Sequence, residues 1–139
     1  MKAIVEILQE AGQLEPGFHL HIDNEPWMTL DIEEIQQAGP NGLPTLSLAH
    51  YGSQNGDLMS DPEMLFEMEG TGSELKLWPY YWRNDYLGIE QYSSYRNEAG
   101  RLIVNISMRQ QHRMFAAMWS RNLSAQGFIE AYRRQPNGQ

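Results

Sequence analysis

The chain has 139 residues, no cysteine, 41% hydrophobic residues and a net charge of −8. Disulfides, thiolate metal sites and cysteine nucleophiles are therefore excluded, and the length suits a single domain, 1–139, with its own core. No stretch approaches the ~18 apolar residues a membrane span needs. Met1 to Gln13 carries Glu6 and Glu10 without a long apolar run, so the expectation is a soluble, cytoplasmic protein without a signal peptide.

Ile4, Ile7, Leu8 and Ala11 fall at helical spacing and Gly12 stops them, which predicts a helix over 2–12 within an N-terminal helix-and-loop region, 1–17. Phe18, Leu20 and Ile22 alternate with His19, His21 and Asp23, the pattern of a strand with one polar face. Asn24-Glu25-Pro26 turns the chain into a second such strand, where Met28, Leu30 and Ile32 alternate with polar residues. Residues 38–44 are loop chemistry. Leu46, Leu48 and His50 alternate with Ser47, Ala49 and Tyr51 in a third strand.

Residues 50–64 then mix polar side chains with Gly52, Gly56 and Pro62. A connector between neighbouring strands needs only about two to five residues, so the whole segment is read as a working loop, with Asn55-Gly56 a tight turn inside it. Met64, Phe66 and Met68 share a face in a fourth strand. Leu75 and Leu77 open a fifth, which Pro79 should end or push to a sheet edge. Residues 89–95 and 101–105 flank a hairpin turn at Arg96–Gly100. Ser107 and Gln110 have capping-box spacing, and Phe115, Met118, Trp119 and Leu123 predict a helix over 107–127 that Gly127 caps. Residues 135–139 are read as a flexible tail. The order implies an α+β fold: an antiparallel sheet of about six to seven strands over 18–105, with an N-terminal and a C-terminal helix on one face.

Three groups could carry chemistry. His19, His21 and Asp23 share a strand face and could ligate a metal ion, although any half-exposed strand puts polar residues there. His50, Asp57, Asp61 and Glu63 could hold a divalent ion or do acid–base work, and can equally be turn chemistry. Tyr81, Arg83, Asp85 and Tyr86, within an aromatic stretch from Tyr80, match the composition of protein-binding hot spots and of base-stacking surfaces. Walker, G-x-G-x-x-G, H-E-x-x-H and nucleophile-elbow patterns are absent.

Charge is uneven: residues 1–90 hold sixteen acidic and three basic side chains, whereas 91–139 hold two acidic side chains and seven arginines. The simplest account is that the two parts pack together and partly neutralise each other. Arg109 and Arg113, four apart, share a helix face, and Arg121 is turned away from them. An acidic chain lacks the footprint of a nucleic-acid binder.

The runs His50-Tyr51, Gln54-Asn55-Gly56-Asp57-Leu58-Met59, Asp61-Pro62-Glu63-Met64 and Arg83-Asn84-Asp85-Tyr86, with Ile22-Asp23-Asn24 and Pro26-Trp27-Met28 upstream, resemble the DUF6908-type family over roughly residues 18–128. The family comprises small uncharacterised bacterial proteins, often encoded on plasmids and phages. The resemblance implies no activity, cofactor or catalytic residue, and suggests an accessory role on a mobile element.

The resulting expectation is a non-enzymatic interaction module without cofactor, whose partner is a protein rather than nucleic acid or membrane. Its surface would combine His50, Gln54, Asn55, Asp57, Asp61 and Glu63 with Tyr81, Arg83, Asp85 and Tyr86, the carboxylates of Asp57 and Asp61 holding backbone N–H groups of the loop. The alternatives are a metal-assisted hydrolase or nuclease using His19, His21 and Asp23 or His50, Asp57 and Asp61 with Glu63 as base, and a single-strand nucleic-acid binder.

Overall fold

The computed structural model describes residues 1–135. Residues 136–139 of the expected tail lie outside them. The chain runs α1 (Lys2–Ala11), β1 (His19–Asn24), β2 (Trp27–Ala38), β3 (Pro44–Gln54), β4 (Asp57–Glu69), a 3-10 turn (Gly72–Glu74), β5 (Lys76–Asn84), β6 (Ile89–Tyr92), β7 (Ser94–Arg96), β8 (Leu102–Val104), α2 (Ile106–Ala125) and α3 (Phe128–Arg134). β1 to β6 form one antiparallel sheet in sequence order, and β7 and β8 form a separate hairpin. The fold is α+β, as the pattern of half-polar strands implied.

Alternation decides which face is covered. Leu20 and Ile22 of β1, Leu30 and Ile32 of β2, Leu46 and Leu48 of β3, and Met64 and Phe66 of β4 are buried together. They meet Ile4, Ile7 and Leu8 of α1, Ala116, Trp119 and Leu123 of α2, and Phe128, Ile129 and Tyr132 of α3. Each fully buried aliphatic or aromatic side chain stabilises the fold by about 1.5–3 kcal/mol. The intervening strand residues point to the opposite face. No helix of the described residues is long and apolar enough to cross a membrane.

The segment 50–64 is not a loop. β3 and β4 run through it as a long hairpin, from Gln54 paired with Asp57 back to Thr45 paired with Glu67. The turn is Asn55-Gly56 alone, with φ of 53° and 84°, the left-handed pair that a two-residue hairpin turn demands. Polar residues persist on both faces because the tip projects past the helix layer, where residues 53–58 are all exposed. Between Ala49 and Tyr51 the register shifts, so that Asp61-Pro62 bulges opposite His50. A bulge tolerates a residue that cannot donate to the ladder. Pro79 lies within β5, upstream of Tyr81 where pairing with β6 begins, on a stretch with no outer strand in the sheet.

At α2 the cap is Asn105 rather than Ser107: its side chain accepts the Met108 N–H at 2.9 Å. Asparagine is among the best N-cap residues. Gly127, in the left-handed conformation, follows the end of α2 and opens α3, an element the sequence pattern did not announce.

Leu48→Ala, at a fully buried position in the middle of β3, should cost about 3 kcal/mol in denaturant unfolding. Leu58→Ala, 69% exposed near the hairpin tip, should stay within about 0.5 kcal/mol of the parent.

Candidate interaction face

The face of the sheet away from the helices is laid out by cross-strand register. One row runs His21, Asp31, Ala49, Glu63, Arg83, Glu90 from β1 to β6. The row beside it runs His19, Glu33, Ser47, Leu65, Tyr81, Tyr92. Directly opposed side chains lie about 4.5–5.5 Å apart at Cβ, so these residues are contiguous; Asp31, Ser47, Ala49, Leu65 and Tyr81 are buried among them, and His19, His21, Arg83, Glu90 and Tyr92 are exposed.

Its left end is a histidine–aspartate cluster. His19 Nε2 and His21 Nδ1 lie 2.6 and 2.8 Å from the same oxygen, Oδ1 of Asp31. His21 Nε2 also lies 3.3 Å from Asp23. The hydrogen bond to Asp31 raises the His21 pKa against the opposing effect of burial. His19, His21 and Asp23 do share the expected face, but the carboxylate that gathers both imidazoles is Asp31. No group of three or more His, Cys, Asp or Glu that could hold a metal ion occurs among the described residues.

The right end is aromatic and charged. Tyr81 donates from its hydroxyl to Glu90 at 2.5 Å, and burial followed by that bond raises its pKa. Tyr81 and Tyr92 rings lie 4.7 Å apart, and Tyr92 and Tyr95 rings 6.5 Å apart. Arg83 donates to Asp85 at 2.6 Å. Ser47 donates to Glu63 at 2.7 Å in the centre. Tyr51 is pushed up to about 12, first by burial and then by the negative field of Glu63, Asp31 and Glu33.

The two segments singled out in the sequence do come together, because β4 and β5 are neighbours. Asn84 donates to Asp61 at 2.8 Å, and Asp85 accepts the Ser60 N–H at 2.7 Å while its own N–H bonds the Ser60 carbonyl. The Tyr86 hydroxyl lies against Gly52, where a Cβ would collide with it, so glycine makes room for the ring. The candidate residues nevertheless divide between the faces. Glu63 and Arg83 belong to the open face, and Tyr81, on the same side, is buried against Leu65 and Tyr80. His50 and Asn84, with Asp61 attached, alternate to the helix side. Gln54, Asn55 and Asp57 sit exposed at the tip.

His50, Asp57 and Asp61 therefore form no common site. The His50 ring packs against Trp119 and Phe128, with centroids 5.4 and 5.5 Å away, and its Nδ1 pairs with the Thr29 carbonyl at 3.0 Å. Burial lowers its pKa. The backbone N–H expected to be held by Asp57 or Asp61 is held by Asp85, and that bond, ahead of the Arg83 contact, lowers the Asp85 pKa. Asp31, Tyr51, Glu90 and Tyr92 join the face without having been singled out. Their only signal was their phase in the alternation.

A family model described as a domain of unknown function, DUF6908, matches residues 2–129, and the chain belongs to that family. No curated protein and no solved structure matches it.

Asp85→Ala should lower stability by about 1.5 kcal/mol by orphaning the Ser60 N–H, whereas Asp57→Ala should lie within about 0.5 kcal/mol of the parent; urea midpoints compare them. His50, whose pKa burial lowers in the fold, takes up protons on unfolding below the ordinary imidazole value of about 6.5. Its contribution is present above that value and is lost as pH falls toward the lowered folded value. His112, also lowered by burial, acts with the same sign, and His21, raised, with the opposite one. Denaturant midpoints at pH 5 and 7 should therefore differ less for His50→Phe than for the parent.

Proposed function

We propose that this member of the DUF6908 family is a non-enzymatic interaction module whose open sheet face receives a basic segment of a protein partner. The observation that carries the reading is the make-up of that face. Tyr51, Tyr92 and Arg83 stand among Asp31, Glu33, Glu63 and Glu90 on a sheet whose other face holds all three helices. Tyrosine and arginine are the residues in which interface energy concentrates. Side chains fixed on paired strands lose little further freedom on binding.

Charge selects the class of partner. Burial raises the Tyr51 pKa most, and Glu63, Asp31 and Glu33 raise it further; the whole chain carries −8. A basic polypeptide is drawn to such a field, and a phosphate backbone is repelled by it. The reading extends to a cytoplasmic accessory protein of a mobile element acting on a host protein. That extension rests on the company the family resemblance suggests, not on the chemistry of the face.

A photo-crosslinking residue placed at Tyr92 and, separately, at Tyr51 should capture one and the same partner in cells. The same residue at Met114, exposed on α2, should not capture it. Tyr92→Ala should weaken the isolated complex roughly tenfold or more without lowering the melting temperature, and added salt should weaken it further. Capture only from position 114, or undiminished binding by Tyr92→Ala, would sink the reading.

A further inference from the structure

A concavity lies beside the aromatic end of the open face, at the stretch of β5 that has no outer strand. α2 passes that edge and presents Arg109 and Arg113, one helical turn apart, into a cavity of about 550 Å³. Leu43, Trp78, Pro79 and Tyr80 give it an apolar wall. The volume falls within the range of small-molecule sites, about 300–1,000 Å³.

Among the described residues neither guanidinium makes an ion pair; those of arginine involve Arg83 and Arg133 only. The Arg113 guanidinium instead lies over the Trp78 ring, 5.5 Å from its centroid, which holds it in place without cancelling its charge. Two carboxylates also line the cavity, and both are already engaged. Glu67 accepts the Asn41 N–H and Asn41 amide at 2.8 Å and the Leu43 N–H at 3.1 Å. Glu69 accepts the Trp78 indole N–H at 3.1 Å.

We propose that this cavity binds a small molecule with one oxyanion end, phosphate or carboxylate, and an apolar body. The oxyanion lies between Arg109 and Arg113, whose forked N–H groups match either oxyanion geometry. The body lies along Leu43, Pro79 and Tyr80. Glu67 and Glu69, which also line the cavity, keep their negative charge and disfavour a second anionic group on the ligand.

The test titrates the intact chain with phenyl phosphate and with benzoate, followed by calorimetry and by tryptophan fluorescence. At least one probe should bind saturably, and which one does so identifies the oxyanion. R109Q/R113Q should weaken that binding at least tenfold, while R121Q, on another side of the helix, should leave it within twofold. Glutamine is a good helix former, and circular dichroism verifies that the variants are folded. Leu43→Trp, which fills the apolar end and keeps both arginines, should also weaken binding. No saturable binding of either probe, equal affinity in R109Q/R113Q, or an equal loss in R121Q would overturn the proposal.

Discussion

The constraint on which the molecule depends is the period of two along its strands, fixed by the burial of one sheet face. Leu30, Ile32, Leu46, Leu48, Met64 and Phe66 are each fully buried under the helices. A slip of one residue in any pairing would turn that strand's apolar set outward and draw its polar set into the core. Several buried side chains at about 1.5–3 kcal/mol each make such a slip prohibitive against a net stability of 5–15 kcal/mol. The open face is then determined by default. Asp31, Glu63, Arg83 and Glu90 align because the residues between them cannot be anywhere but inside.

This is also why the fold was legible in the sequence and the site only partly so. Phase along one strand can be counted from its apolar residues, and Phe18 to Asp23 or Leu46 to Tyr51 announced their faces. Register between strands passes through turns and bulges. Asn24 pairs with Trp27, and counting outward from that turn puts His21 opposite Leu30. The shift between Ile22 and Asn24 puts it opposite Asp31 instead. One inserted residue thus converts an imidazole with no partner into one that shares a carboxylate with His19. Asp61-Pro62 does the same in β4: the pairing of Tyr51 with Ser60 follows from the Asn55-Gly56 turn, and that of Ala49 with Glu63 does not.

The polar character of 50–64 misled for a related reason. Polar residues on both faces of a strand resemble a loop, and the distinction lies in whether a helix layer lies over them. That layer comes from α1, α2 and α3, whose contacts with the sheet are made by residues distant in sequence. The uneven distribution of charge was more transparent. Arg133 pairs with Glu10 at 2.7 Å and approaches Glu6 at 3.5 Å, so part of the basic C-terminal portion does meet the acidic N-terminal portion. These pairs are exposed and screened, and they orient α3 against α1 more than they stabilise it.

Subtracting the charges consumed by structure leaves those available to a partner. Glu34 receives the Gly17 and Gln36 N–H groups, Glu67 ties down the loop before β3, and Asp85 joins β4 to the turn after β5. None of these can be given up to a ligand without orphaning backbone donors, at about 1–3 kcal/mol each. Glu33, Glu63 and Glu90 are bound by fewer such duties, and so are Arg109 and Arg113. The acidic remainder faces away from the helices and the basic remainder gathers at the edge of β5.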